Sequence, residues 1–461
     1  MNQMFPISSL PHTIQNNHIP TEPAVIKNFT VLLPVELLGE IFVHCLDFRS
    51  DILPIPRKHE APMLLCRVCA RWRHIAMSMP ILWATFSAYS PFGVESPHYI
   101  SLIKFWVEQS RPHPLSFELR APGSSRMHTF QRSFHLFLSE INRWYDATIE
   151  LTRISCEQFL TMPLEGDSCL EALTICNMVC TDAQLRRIPT ALRQFSQLRR
   201  LKITRPLLAP LYDIPWFQLT DINLNTPLAI DECVDILSKC SRIVNCTLTR
   251  IRGPSKTIGT HITTLSTLVR LNLCSTCDVG EILSHLTCPA LLHLNICYDG
   301  WGGTRDPRTF NEFLVRSSSV LETFHFSDEY IMECDLIQYI SSPSLRSLKY
   351  LSVLGLGASV ETLNLFKCDK SGDAMILMPS LESLKLDIEG VPDGLVADIV
   401  ISRLNPRGSL NAPHRGSQTT LQKVEVCFRC RDPRTLREDE KRLGELKNQG
   451  LHVVVHLEAE Y

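Results

Sequence analysis

The residues of this chain best suited to chemistry are its eighteen cysteines, six of which fall in Cys-x-x-Cys pairs: Cys66/Cys69, Cys274/Cys277 and Cys427/Cys430. Two thiolates at that spacing can supply half of a tetrahedral zinc site, and Cys274, Cys277, Cys288 and Cys297 could in principle supply a whole one. No pair, however, has a partner pair at zinc-ribbon spacing. The first lies inside a helical pattern, and the others sit at the ends of strand-like runs, where cysteine packs as a small hydrophobe. No metal ligands and no cofactor are therefore expected. No Walker-A loop, Gly-x-Gly-x-x-Gly run, His-Glu-x-x-His or Gly-x-Ser-x-Gly elbow is present. Trp301-Gly302-Gly303 reads as a turn, and the sixteen histidines are dispersed. No catalytic residues are expected, and the chain reads as a protein that is not an enzyme.

The elements that would position such side chains fall into regions of different rhythm. A chain of 461 residues exceeds what one compact core holds, because cores split beyond ~250–300 residues. With 44% apolar and 20% charged residues it should fold. The net charge of −2 gives no field that favours nucleic acid or an anionic membrane. No stretch approaches the ~20 apolar residues of a membrane span. The first residues carry neither a basic nor a continuous apolar segment of a secretory signal, so a cytoplasmic or nuclear location with free thiols is expected. Residues 1–28 are polar, contain four prolines, and read as a disordered arm.

From about residue 91 onward a short phrase recurs, Leu-x-x-Leu-x-Leu with Ile, Val or Phe as substitutes. It occurs at Leu170-Leu173-Ile175, Leu198-Leu201-Ile203, Leu219-Ile222-Leu224, Leu268-Leu271-Leu273, Leu291-Leu294-Ile296 and Leu321-Phe324-Phe326. It returns at Val360-Leu363-Leu365, Leu381-Leu384-Leu386 and Leu421-Val424-Val426, with a weaker copy at Ile243-Cys246-Leu248. Most steps fall near the ~20–29 residues of leucine-rich repeats. The longer step from Leu321 to Val360 suggests a hidden unit near Leu345-Leu348. In each phrase the alternating apolar residues point into one core, as on a strand. The spacers are helical: Cys233, Ile236 and Leu237 recur at i, i+3, i+4. One such unit cannot bury its own apolar face, but stacked neighbours can. The expected fold class is α/β, an irregular solenoid with parallel strands on its concave side and helices on its convex side. The strands 115–119 and 147–151 should join it, and a helix over 435–449 and a strand over 451–457 should close it. The motif's usual Asn or Cys is matched only by Cys368; Thr276, Asp299 and Glu389 stand elsewhere.

The region 29–90 carries a second signal. It reads Leu33-Pro34-Val35-Glu36-Leu37-Leu38-Gly39-Glu40-Ile41-Phe42, then Val68-Cys69-Ala70-Arg71-Trp72-Arg73, then Ile81-Leu82-Trp83. Pro34 suits a first helical turn, and Leu37, Leu38, Ile41 and Phe42 form a stripe. Taken in order, the three segments resemble the F-box, and with its repeat tail the chain is similar to fungal, basidiomycete-type F-box proteins with leucine-rich repeats. The resemblance implies a small three-helix module that docks on a Skp-family adaptor, itself joined to a cullin-RING ubiquitin ligase. It implies adaptor contacts by Leu33, Pro34, Leu37, Ile41, Val68, Cys69 and Trp72, and a substrate-receptor role in which ubiquitin transfer belongs to partner subunits.

An unknown protein target would lie against outward strand positions, for which Lys202, Asn223, Asn272, Asn295, His325, Asn364 and Lys385 are the candidates. The segment 47–62, with three prolines, departs from the family pattern and is expected to loop out. It motivates an alternative, an interaction scaffold unrelated to ubiquitin that carries a degenerate F-box.

Overall fold

The computed structural model describes residues 33–46, 53–88, 97–120, 127–162, 166–204, 213–256, 259–300, 304–356, 360–368, 377–404, 421–430 and 436–459. The arm 1–28 and the expected turn at Trp301-Gly302-Gly303 lie outside these residues.

The strands are β1 (Thr85–Ser87), β2 (Leu115–Leu119), β3 (Trp144–Thr152), β4 (Ala172–Val179), β5 (Arg200–Ile203), β6 (Asp221–Ala229), β7 (Asn245–Arg252) and β8 (Thr263–Thr264). Then come β9 (Arg270–Ser275), β10 (Leu286–Thr287), β11 (His293–Tyr298), β12 (Thr323–Asp328), β13 (Tyr350–Leu356), β14 (Ser383–Glu389), β15 (Lys423–Cys430) and β16 (His452–Ala459). Fourteen of them form one sheet in chain order, and β8 and β10 pair separately. The pairings are parallel, from β1 on β2 to β15 on β16. Each strand adds beyond the last, so the parallel crossovers carry the connecting helices to one face and leave the other open. The result is a solenoid-like α/β fold.

Alternation explains which face is closed. Leu201, Ile222, Cys246, Leu271, Leu294, Phe324, Leu351, Leu384 and Val424 are successive register partners, and all are buried. A second inward row, two residues on, holds Ile203, Leu224, Leu248, Leu273, Ile296, Phe326, Val353, Leu386 and Val426. Helices pack onto these rows through apolar stripes; Pro307–Ser317 buries Phe310, Phe313 and Leu314 and is capped by Asp306, which accepts from the Arg308 and Thr309 amides.

Nine of the ten recurring phrases coincide with a strand. The exception is Val360-Leu363-Leu365, where Val360–Asn364 is a helix. The strand of that unit is β13, whose phrase is Leu348-Leu351-Val353. Cys368 therefore follows a helix and not a strand, and its amide is held by Ser402 Oγ at 3.1 Å. The strand at 115–119, the closing helix Arg437–Asn448 and the final strand form as expected. Gly450, at φ 101°, turns the chain from that helix so that the Leu451 amide reaches the Leu446 carbonyl at 3.2 Å.

The N-terminal module differs from a plain three-helix reading. It contains α1 (Val35–His44), a 3₁₀ turn at Leu65–Arg67, α2 (Ala70–Met77) and a 3₁₀ turn at Pro80–Trp83. A single helix does not run through Leu65, Val68, Cys69 and Trp72, because Cys69 is extended and caps α2, its Sγ accepting from the Trp72 amide at 3.4 Å. Nor does the described part of the 47–62 segment simply loop out. The Ser87 amide donates to the Pro54 carbonyl at 2.8 Å and Pro56 is buried, so residues 53–56 cover the outer edge of β1. The module and sheet share a core: Trp83 meets Trp106 edge-on at 5.4 Å and donates through Nε1 to the Ala76 carbonyl at 2.9 Å.

Two polar clamps give testable consequences. Arg403 is buried without a carboxylate partner among the described residues, and donates to the Phe366 carbonyl at 2.7 Å, Leu377 at 2.7 Å and Met378 at 3.3 Å. Arg403→Leu should lower stability by about 2–4 kcal/mol, read as a shifted urea midpoint, because three carbonyls, two of them in buried hydrogen bonds, lose their donors. Glu140 accepts from Arg111 and, at 2.8 Å, from Arg143, which also holds Ser110 Oγ at 2.8 Å. Burial alone would raise the Glu140 pKa, but the two guanidinium hydrogen bonds outweigh it and hold it below the usual carboxylate value. A depressed folded-state pKa contributes stability that is present above the unfolded value and is lost as pH falls through the folded one. Glu140→Gln should therefore flatten the acid limb of a stability-versus-pH curve, and an unchanged limb would remove Glu140 from the clamp's titration.

Candidate functional site

Two surfaces are available for contact, the outer side of the N-terminal module and the open face of the sheet. In α1 the apolar stripe divides. Leu38 and Phe42 are fully buried, whereas Leu37 is 51% and Ile41 is 42% exposed. Leu37 and Ile41 are one turn apart and share a side of the helix. Val35, Leu64 and Val68 are also exposed, the last at 55%. These apolar side chains stand outside a core that is complete without them.

The remaining expected adaptor contacts are placed as follows. Pro34 is exposed and occupies the cap position before α1, its carbonyl accepting from the Leu38 amide at 3.2 Å. Leu33 is half-buried, and its carbonyl takes Arg71 Nη2 at 2.6 Å, which ties the start of α1 to α2. Trp72 is half-buried against Phe42, with ring centroids 4.9 Å apart, so much of it serves the module itself. Cys69 is exposed as the α2 cap. The sequence reading missed Leu64 and Val35; the one-turn spacing of Leu64 to Val68 was the available signal for Leu64.

On the open face, six of the seven expected target-facing residues lie in one continuous register row. It runs Lys202, Asn223, Thr247, Asn272, Asn295, His325, Ser352 and Lys385 across β5 to β14. Asn364 is the correction. It is exposed at the end of the helix Val360–Asn364, not on the open strand face, because the phrase that suggested it is helical.

The middle of the row is uncharged. Asn272 Nδ2 donates to Thr247 Oγ1 at 2.9 Å. Burial, and then the charge of Lys385, pushes the His325 pKa below its usual value, which keeps the ring neutral at pH 7. Asn295 Oδ1 is buried and accepts no hydrogen bond among the described residues. Lys385 is paired with Glu425. The face thus offers a neutral amide-rich strip bounded by Lys202 on one side and a Lys–Glu pair on the other, suited to hydrogen bonding and not to electrostatic steering.

The cysteines separate. Cys66 is buried beneath the module and Cys69 caps a helix, so this pair does not converge. Cys288 is fully buried, and Cys277 lies beside Ser275 Oγ at 3.4 Å. Only Cys274 and Cys297 of that group meet, as register partners on β9 and β11. No helix among the described residues is long and apolar enough to cross a membrane. Compared with known proteins, the chain matches no family model and no curated protein.

Proposed function

We propose that the chain is a substrate-receptor subunit of a Skp-cullin-F-box type E3 ubiquitin ligase, with residues 29–90 as the F-box and the sheet as a leucine-rich repeat array. In this reading Leu37, Ile41 and Val68 enter an apolar groove of a Skp-family adaptor, with Leu33, Pro34, Cys69 and Trp72 at the border. The neutral row from Asn223 to His325 holds a protein target, and the ubiquitin-transfer chemistry belongs to the cullin-RING partners. The observation that carries the proposal is the division of α1, which keeps Leu38 and Phe42 at 0% exposure while leaving Leu37 and Ile41 in solvent. Exposed large apolar side chains clustered on a small module mark an interaction surface, and such anchors dominate interface energy.

The test is co-purification of the full chain with a Skp-family adaptor, followed by recovery of cullin and RING subunits. Recovery of the complex supports the reading. A chain that purifies without the adaptor, at concentrations where F-box modules are saturated, would leave the interaction scaffold in its place.

A further inference from the structure

Cys274 and Cys297 sit opposite one another on adjacent parallel strands. Their neighbours Leu273 and Ile296 are buried, so the alternation sends both thiols to the open face, where each is half-exposed. Asp299 follows β11, two residues after Cys297, and is exposed. Its amide is fixed by the Ser275 carbonyl at 2.8 Å, and its Oδ2 receives the Cys274 thiol at 3.4 Å. One ligand atom from each of the three side chains lies within 4.8 Å of the other two, and no other such trio occurs among the described residues.

We propose that Cys274, Cys297 and Asp299 bind one thiophilic divalent cation of the zinc class, leaving a fourth position open toward the sheet's outer face. In tetrahedral coordination, Zn–S bonds of about 2.3 Å and Zn–O bonds of about 2.1 Å place ligand atoms roughly 3.5–3.8 Å apart. The three ligand atoms already lie within 4.8 Å of one another, and the Cys274–Asp299 pair stands at 3.4 Å. On binding, both thiols lose their protons to solvent, and two thiolates, one carboxylate and M²⁺ leave a net charge of −1 on the site. A simple disulfide between the two strands would give Asp299 no role, yet its carboxylate is aimed at the Cys274 sulfur. The site needs neither the adaptor nor the F-box reading.

The test is titration of the reduced full chain with zinc, and separately with cadmium to follow thiolate-to-metal absorption, in wild type, Cys297→Ser, Asp299→Asn and a Cys427→Ser control. Both site residues are partly or wholly exposed, so their isosteric replacements should preserve the far-UV circular dichroism. The expected result is one tight equivalent in wild type and in Cys427→Ser, with affinity at least tenfold weaker in the two site variants. Absence of tight zinc uptake by wild type overturns the proposal, as does uptake that survives Cys297→Ser unchanged. Capture of a trivalent arsenical without zinc binding would also overturn it, making the pair a bare dithiol.

Discussion

Leu37→Asp should weaken adaptor binding about 30-fold or more while leaving the chain folded, as should Ile41→Asp. The two parts of the expectation have separate causes. Leu37 contributes little to the core, so an aspartate on that helix surface should cost stability only ~0.5 kcal/mol. In a complex the same carboxylate would be buried unpaired where an apolar anchor had been, a loss of about 2 kcal/mol or more, which converts to about 30-fold in Kd. Leu38→Asp is the contrasting variant. It places the charge at a fully buried position beside the Phe42–Trp72 contact and should unfold the module, losing binding and structure together. Calorimetric titration with the adaptor, alongside circular dichroism, separates these cases. Leu37→Asp binding at wild-type affinity would remove α1 from the interface.

Asp328→Ala should cost about 3–5 kcal/mol, the largest effect of any single polar substitution considered. Asp328 is fully buried at the end of β12 and accepts from Arg305 Nε at 2.7 Å and from the Tyr330 amide at 2.9 Å. The Arg305 guanidinium lies 3.8 Å above the Tyr298 ring centroid, and Tyr298 in turn donates to Asp278 at 3.0 Å. The cluster joins three successive units near the middle of the array. Removing the carboxylate takes from a buried guanidinium the carboxylate it is hydrogen-bonded to, the costly case for buried ion pairs. Solenoids are held by nearest-neighbour interfaces, so a break there should also divide unfolding into two transitions. Arg305→Met with Asp328→Leu should recover much of the loss, because the stranded charge is gone. Equal destabilisation of the single and double variants in urea titrations would show that packing, not the stranded charge, sets the cost.

The sequence made the array legible where its signal was periodic. Leu271, Leu294 and Phe324 repeat because one core must be lined by every unit, and alternation then fixes which side chains face outward. The same rule failed at Val360-Leu363-Leu365. A short Leu-x-x-Leu phrase satisfies a helical stripe as well as a strand, and Leu363 is buried either way. The true strand at 350–356 was obscured because its aligned residues, Leu351 and Val353, stand beside Leu354 and Leu356 in an almost continuous apolar run. In the module, the helical pattern from Leu65 to Trp72 concealed the extended Cys69, since cysteine caps helices less often than Ser, Thr, Asp or Asn. Periodicity could not say which half of the α1 stripe faces outward, because Leu37 and Leu38 are chemically identical; only the family resemblance pointed to Leu37 and Ile41, the half that is exposed. The Cys274–Cys297–Asp299 cluster depends on cross-strand register, to which spacing within Cys-x-x-Cys pairs is blind.

The most direct measurement is amide hydrogen exchange of the full chain with and without a purified Skp-family adaptor. Docking through the outward apolar side chains should slow exchange over 33–46 and 64–72 and leave the strands from β5 to β14 unchanged. No change at saturating adaptor, or protection confined to the open sheet face, would contradict the assignment of those helices as the docking surface.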